Sequence, residues 1–365
     1  MHRSCFAPWR TVFPRLIALA AVGLVLCGCS SLRYYAQAAR GQGELIAHRR
    51  AVSAVLRNPA TDPTLAARLR LAQQARRFAS RQLGLPDNRS YTGYVELHRS
   101  YVVWDVFAAP RFSVEALSQC FPIAGCVAYR GYFREAAAKA DAAWLQSHGN
   151  DVWVGGVPAY STLGWFADPI LSSMLRWDDD ELNSTIFHEL AHQLIYVKGD
   201  TAFNESFATF VQTEGLREWR QSRGLPPQDG RAQAMDHGFT RLVLDLRERL
   251  KTLYASGVDE PAMAAAKQRE IAAFRVRYAW WRGRDWPTDH SYDAWVAEPI
   301  NNARLLPFGL YDQWVPAFAA LFRQNGQQWP AFYDRVRALA REPQAKRDQT
   351  LQVMSGAVAA DPPQG

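Results

Sequence analysis

The order of apolar and polar residues predicts a helical start to the chain and a small sheet after it. Residues 32–83 carry apolar positions at helical spacing, and the pattern is interrupted between Asn58 and Pro63, which predicts a helical hairpin. Aromatic and β-branched runs separated by Pro and Gly fill residues 91–133, a texture typical of short strands.

Helix and strand patterns alternate through the middle of the chain. A helix is predicted over residues 135–147 and a strand over residues 151–154, and the small residues at 155–164 favour a loop or an edge strand. Residues 182–197 then show a helical period directly after a run of acidic residues, which favours a helix N-terminus because of the helix dipole.

The last part of the chain is predicted to be helical up to about residue 341. One helix covers residues 203–220, and two more are joined near residues 256–261. Beyond them the sequence becomes polar and predicts a loose tail over residues 341–365. The facing apolar residues of the helix pair are Phe239, Leu242, Leu246, Leu250 and Leu253 on one helix and Met263, Ile271, Phe274 and Tyr278 on the other.

These elements predict a mainly α protein with a small β-sheet, in the α+β class. We divide it into an N-terminal helical region at residues 29–90 and a main domain at residues 91–340, followed by the tail. A chain of 365 residues with 48% hydrophobic composition can bury a full core of this size.

Residues 1–28 have the pattern of a signal peptide. Three arginines precede an uninterrupted apolar run over residues 16–26. A helix that spans a bilayer needs about 20 apolar residues, so a membrane-spanning anchor is the less favoured alternative. The segment ends in Leu26, Cys27, Gly28 and Cys29, which resembles the lipobox of bacterial lipoproteins.

By that resemblance, cleavage leaves Cys29 as the N-terminus, where its thiol and amine are lipidated. Ser30 follows in place of the Asp typical of inner-membrane retention, so the expected location is the periplasmic face of the outer membrane. Release after cleavage, as an ordinary secreted protein, is the alternative.

Cysteine and charge content agree with an exported protein. Beyond Cys29 the chain has only Cys120 and Cys126, and a turn at Pro122 and Gly125 could join them in a disulfide. A reduced buried pair is the alternative. Without the three arginines of the signal peptide, 39 basic and 35 acidic residues remain. Their scatter along helices predicts solvated faces and no nucleic-acid surface.

The chemistry of the chain is concentrated in a His-Glu-x-x-His sequence inside the helix at 182–197. His188 and His192 lie about 400° apart around the helix, so both imidazoles share one face and can bind one zinc ion. Glu189 points about 100° away from His188 and is predicted to act as general base toward a water molecule at the metal. A pair of helical histidines with structural partners is the alternative.

A catalytic zinc site has three protein ligands, and the third is expected on the next helix. Glu205 is the predicted ligand, because a short connection folds that helix back antiparallel against the first. Asp200 and Glu214 are competing ligands, and Glu205 could instead compensate the helix dipole.

These residues resemble the gluzincin metallopeptidases, in which an Asn-Glu-x-x-Ala helix, here residues 204–208, supplies the glutamate ligand. Throughout its mature length the chain also resembles a family of bacterial lipoproteins assigned as zinc aminopeptidases. Matching stretches are residues 125–133, 159–169 and 187–193. The resemblance implies a zincin-like catalytic domain at residues 91–340 with a helical C-terminal portion, Zn²⁺ as cofactor and a peptide or protein substrate.

The chain departs from the gluzincin pattern in two places. Only 12 residues separate His192 from Glu205, fewer than in thermolysin-like and large aminopeptidase families, so the connection between the helices must be tight. The Gly-x-Met-Glu-Asn motif that binds a free amine is absent. Gly156 and Tyr160 lie in the analogous upstream segment and are expected to bind substrate. An endopeptidase is therefore kept as an alternative to an aminopeptidase.

A developing oxyanion needs a hydrogen-bond donor in addition to zinc. The candidates are Tyr160, His290, Tyr292 and Tyr311. Gluzincins use a Tyr or His for this purpose, and we single out His290 and Tyr311 as catalytic residues. Packing as an ordinary aromatic is the alternative for each.

The sequence thus predicts a zinc-dependent peptidase of the cell envelope, an aminopeptidase by family resemblance, held at the membrane by its lipid. The non-catalytic alternative is an envelope lipoprotein whose zinc stabilises the fold and whose surface binds or helps to assemble outer-membrane partners. Bound zinc together with cleavage of peptides distinguishes the two.

Overall fold

The computed structural model describes three stretches of the chain, residues 33–121, 125–309 and 313–359. The chain forms two compact units that divide after His48. The first unit contributes one described helix, α1 at residues 33–48, in which Arg40 Nε donates a 3.0 Å hydrogen bond to Glu44 Oε1 one turn later. The predicted signal peptide and Cys29 lie outside the described residues. All elements that follow belong to the second unit.

The strands of the second unit form small sheets, as predicted for residues 91–133. The larger sheet is antiparallel with the order β6-β3-β7, so β7 is an edge strand. A second sheet has the order β1-β2-β8, and β4 pairs with β5 as a hairpin. The strands are β1 Arg50–Ala51, β2 Gly93–Val95, β3 Val103–Pro110, β4 Gln119–Phe121, β5 Gly125–Val127, β6 Tyr129–Tyr132, β7 Asn150–Val157 and β8 Ile170–Leu171.

The β4–β5 hairpin carries the predicted disulfide. Cys120 lies opposite Cys126 in the register of the hairpin, and a disulfide joins the two residues. A cross-link of this kind restricts the unfolded chain and holds the two strands together. The pairing agrees with the prediction and removes the alternative of a reduced buried pair.

Helices make up most of the unit, so the predicted mainly α protein with small sheets is confirmed at this level. The helix predicted over residues 135–147 is present with the same bounds. Within the described residues, no helix combines the length and the apolar composition that crossing a bilayer requires. The helices are α2 Val52–Arg57, α3 Pro63–Arg81, α4 Glu135–Ser147, α5 Asp179–Leu194, α6 Thr201–Ser222, α7 Arg231–Tyr254, α8 Glu260–Asp285, α9 Asp293–Ala297, α10 Asn302–Leu305, α11 Val315–Gln324, α12 Trp329–Ala340 and α13 Gln344–Ala359.

Helices α5 and α6 pack closely against each other, with α3 alongside both. Phe78 of α3 contacts Phe187 of α5 and Trp219 of α6, with ring centroids 6.2 and 5.3 Å apart. At Gly215 of α6, an added Cβ would lie 2.7 Å from Leu83 Cδ1 and 3.2 Å from the Phe187 ring. A side chain at this position would require Leu83 and Phe187 to shift, and glycine allows the close approach of α6 to both.

The C-terminal segment differs from the predicted loose tail of residues 341–365, because most of it forms helix α13. Arg347 of α13 and Asp200 at the start of α6 form an ion pair in which each side chain is only 4% exposed. Arg347 Nε donates a 2.9 Å hydrogen bond to Asp200 Oδ2, and its guanidinium lies over the Phe203 ring. A polar composition predicts solvation, but here one arginine is buried because it meets a buried carboxylate from a distant part of the chain.

Replacing Arg347 by Met should destabilise the protein strongly. The change leaves Asp200 buried without its partner, which typically costs about 3–5 kcal/mol. We expect the free energy of unfolding, measured by denaturant titration, to fall by about this amount. The matched control is Arg337→Met, because Arg337 pairs with Asp334 at an exposed position and should change stability by about 1 kcal/mol or less. Equal unfolding midpoints for the two variants would contradict the role of α13.

Candidate metal centre

Polar residues determine where helix α5 begins, and apolar residues along its length determine which face it buries. Asp178 accepts a 2.8 Å hydrogen bond from the Glu181 backbone N–H and so caps the helix. The acidic side chains of the first turn are also stabilised by the helix dipole. Phe187, Leu190 and Ala191 are fully buried and fix the rotation of α5 about its axis. The remaining face carries His188 and His192.

His188 and His192 point toward each other from successive turns of α5. Their Nε2 atoms are 3.0 Å apart, and the rings are nearly perpendicular, at 83°. Both residues are buried, with 9% and 6% of their surface exposed. Two buried ring nitrogens at this distance can supply two of the four ligands of a tetrahedral metal ion.

The short connection between α5 and α6 is closed by side chains of α6. Asn204 binds both backbone groups of Val197: its Oδ1 accepts from the N–H and its Nδ2 donates to the carbonyl, each at 2.7 Å. Asp200 caps α6 by accepting a 3.0 Å hydrogen bond from the Phe203 N–H. With the turn held in this way, Glu205 Oε2 lies 3.3 Å from His188 Nε2 and 3.5 Å from His192 Nε2.

The three side chains fit a zinc ion. In a tetrahedral site with bonds of about 2.0–2.2 Å, the ligand atoms are about 3.3 Å apart. The observed separations of 3.0, 3.3 and 3.5 Å agree with this value. Among the described residues, His188, His192 and Glu205 form a group of potential ligands whose donor atoms all lie within 4.8 Å of one another. Two imidazoles and one carboxylate are also a donor set that zinc accepts in catalytic sites.

The two competing ligands are held elsewhere by other partners. Asp200 is paired with Arg347, and Glu214 accepts hydrogen bonds from Arg217, the shortest being 2.6 Å. Neither carboxylate belongs to the group of converging ligand atoms. Of the three acidic residues considered, only Glu205 is brought to the histidines.

His188 and Glu205 each stabilise the charged form of the other. Burial alone would lower the pKa of His188, but the Glu205 carboxylate beside it raises this pKa above its ordinary value. Burial alone would raise the pKa of Glu205, but His192 and His188 lower it below its ordinary value. Glu205 is therefore ionised at neutral pH, which is the form that binds a metal.

Gln212 orients His188 and was not recognised from the sequence. Its Oε1 lies 2.9 Å from His188 Nδ1, and its Nε2 donates to Ser184 Oγ at 3.3 Å. Because the amide oxygen can only accept, His188 Nδ1 must carry the proton, which leaves the Nε2 lone pair directed at the site. Gln212 follows Glu205 by seven residues, two helical turns, so its position on the same face of α6 was the available signal.

Glu189 is outside the group of converging ligand atoms, and its charge acts both on His188 and on the loop between β7 and β8. The negative charge of Glu189 contributes to raising the pKa values of Tyr91 and Asp168, although burial is the larger cause for both. Asp168 is almost fully buried, and its pKa is raised to about 6. Glu189 is half-buried and directly follows the candidate ligand His188 in the sequence.

Gly156 and Tyr160 lie at the end of edge strand β7 and just after it. The Tyr101 ring covers one side of Gly156, so closely that an added Cβ would lie 2.3 Å from it. The Tyr160 ring packs edge-on against Phe133 at 5.2 Å, and burial, with a contribution from Asp168, raises the pKa of Tyr160 to about 12. Their predicted role in substrate binding stays a prediction.

The remaining oxyanion candidates are bound to partners away from the ligands or lie outside the described residues. His290 is exposed, and its Nδ1 lies 2.7 Å from Asp293 Oδ2. Tyr292 donates a hydrogen bond to Asp236, and its ring stacks on Phe239. Neither Asp293 nor Asp236 is a candidate ligand, and Tyr311 lies outside the described residues.

Tyr196 is an aromatic residue that the sequence reasoning missed. Its ring meets the His192 ring edge-on, with centroids 6.3 Å apart. Burial and then the charge of Glu205 raise its pKa above the ordinary value for tyrosine. Its spacing of four residues from His192 was the available signal, because that spacing keeps it near the metal face as α5 ends.

One comparison with known proteins gives a match. A family model described as "Putative aminopeptidase" matches residues 33–351, most of the chain. No curated protein and no solved structure matches it. The matched range includes Glu189 and the three candidate ligands.

Replacing Gln212 by Leu should weaken metal binding without removing a ligand. Loss of an acceptor behind a metal-bound imidazole typically lowers metal affinity about 10- to 100-fold. We expect this change in the zinc dissociation constant, measured by competition with a chelator. Gln221→Leu, at an exposed position on the same helix, is the control and should bind zinc as the unaltered protein does. Equal affinities for both variants would show that Gln212 does not orient His188.

Proposed function

The chain belongs to this aminopeptidase family, and we propose that it is a zinc-dependent peptidase whose metal is held by His188, His192 and Glu205. The observation that carries the proposal is the convergence of two imidazole nitrogens and one carboxylate oxygen at distances suited to zinc. The family suggests action on peptides, and the donor set supports the choice of metal.

The protein's own residues have separate tasks in the proposed hydrolysis. A zinc ion in such a site supplies Lewis acidity, which polarises a peptide carbonyl and lowers the pKa of water. Glu189 accepts the proton of the attacking water and returns it to the leaving amine. Tyr196, beside His192, is the phenol proposed to donate a hydrogen bond to the oxyanion. Gln212 keeps the His188 ring in the orientation that binding requires.

The substrate is proposed to lie along edge strand β7. An edge strand has backbone groups that can bind an extended peptide as an additional strand. Because the Val152 carbonyl of β7 already accepts a hydrogen bond from Asn301 Nδ2, the proposed pairing is at the C-terminal end of the strand. Gly156 within this strand and Tyr160 after it are the proposed contacts to the substrate. By family membership we propose cleavage next to a free N-terminus. A comparison of free and N-acetylated peptides distinguishes this from endopeptidase activity.

We further propose that the protein works in the cell envelope, anchored through lipid on Cys29 at the periplasmic face of the outer membrane. The lipobox resemblance of residues 26–29 supports this location. The Cys120–Cys126 disulfide is consistent with an oxidising compartment outside the cytoplasm. Mass determination of the purified mature protein would reveal a lipidated Cys29 if the proposal is right.

Replacing Glu189 by Gln should lower turnover strongly while metal binding is preserved. Glu189 is not one of the converging ligands, and a general base typically contributes about 10²–10⁴ to the rate. We expect one zinc per chain and a fall in kcat of this size, measured on a library of free and N-acetylated peptides. Glu181→Gln, in the first turn of the same helix, is the control and should retain full turnover.

Two other outcomes would redirect the proposal. Undiminished kcat in Glu189→Gln would remove Glu189 from the mechanism. Stoichiometric zinc without cleavage of any peptide, combined with a large loss of thermal stability on chelation, would favour the non-catalytic lipoprotein whose zinc stabilises the fold.

A further inference from the structure

The loop between β7 and β8 presents two exposed aromatic side chains. Trp165 is 69% exposed and Phe166 is 49% exposed, and the two are adjacent in the sequence. Large apolar side chains that remain in water do not contribute their burial free energy to folding. A neighbouring pair on one loop is therefore better explained by binding than by stability.

This loop is held in a defined conformation by a buried carboxylate. Asp168 accepts hydrogen bonds from the backbone N–H of Thr162 at 3.1 Å and from its hydroxyl at 2.7 Å. The Thr162 hydroxyl oxygen also accepts a 3.0 Å hydrogen bond from the Phe166 N–H. These contacts close a tight turn, so Trp165 and Phe166 are displayed on an ordered loop, which lowers the entropy cost of binding.

The same loop contacts Gln193 of helix α5, one turn after the proposed general base Glu189. Gln193 Nε2 lies 3.4 Å from Asp168 Oδ2, and an added Cβ at Gly164 would lie 3.3 Å from Gln193 Cγ. Gln193 follows Glu189 by four residues, so both side chains lie on one face of the helix. The exposed aromatic pair thus belongs to a wall that borders the Glu189 side of the site.

We propose that Trp165 and Phe166 form an apolar subsite that binds an apolar side chain of the peptide substrate. The proposal rests on the proposed peptidase function and names a specificity determinant for it. The continuity of the loop with the Glu189 face favours a substrate side chain over a lipid surface as the occupant. Because the two side chains would contact a substrate side chain and take no part in proton transfer, their loss should raise KM by a larger factor than it lowers kcat.

The test compares two peptides that differ only by Phe or Ala at the residues flanking the scissile bond. For the unaltered protein, kcat/KM should be about tenfold higher for the Phe peptide, the order expected of an apolar subsite. In the double variant Trp165→Ala/Phe166→Ala, this preference should disappear through a higher KM for the Phe peptide. The control Trp280→Ala removes an aromatic of similar exposure, 63%, from helix α8 and should keep the preference.

The possible failures can be told apart. If the unaltered protein cleaves peptides and the double variant keeps its preference and its KM, the subsite is disproved and the peptidase function stands. If the unaltered protein cleaves no peptide, the proposed function fails first and the subsite falls with it. If the double variant keeps its peptide preference but loses binding to phosphatidylcholine vesicles, the aromatic pair binds a lipid surface and the subsite is overturned.

Discussion

The candidate site depends on how tightly the chain turns between α5 and α6. Glu205 reaches the two imidazoles only because residues 195–200 return the chain at once into an antiparallel helix. A turn this short buries backbone groups that need partners, and Asn204 supplies them by binding the N–H and the carbonyl of Val197. The 12 residues between His192 and Glu205 are therefore sufficient, because the residue before the ligand closes the turn.

The three candidate ligands can stay together only if the charges of the carboxylates at the start of α6 are compensated by neighbouring groups. The Glu205 carboxylate is partly buried against two imidazoles, which offset its desolvation. The carboxylate of Asp200, which is fully buried, lies at the start of the same helix and is offset by Arg347 from α13. Arg347 is far from Glu205 along the chain, but it pairs with Asp200, which caps the first turn of α6. Helix α13 therefore helps to fix the start of the helix that carries the candidate ligand Glu205.

Local signals in the sequence were sufficient for the parts of the site that lie on one helix. The acidic run and the apolar period predicted α5, and the four-residue spacing predicted that His188 and His192 share a face. Long-range pairings could not be predicted in this way. The helical period shows which face of α6 carries Gln212, but it does not show that this face meets His188. The polar composition of the C-terminal segment suggested a loose tail, because composition does not reveal that Arg347 pairs with Asp200.

Three faces of α5 have different roles: one packs into the core, one carries the candidate ligands and one carries Glu189. Because these faces are separated by angle, one short helix can serve all three. Phe187 and its apolar neighbours pack into the core, and this packing sets the rotation of the helix. With that rotation fixed, His188 is directed at Gln212 of α6, and Glu189 lies about 100° further round the helix, where its charge also acts on Asp168 of the β7–β8 loop. The ligand face is constrained by the fixed geometry of α6. The loop face borders a surface segment, where side chains can change without moving a ligand. The proposed metal site and the proposed substrate subsite can therefore vary independently, although both border the same helix.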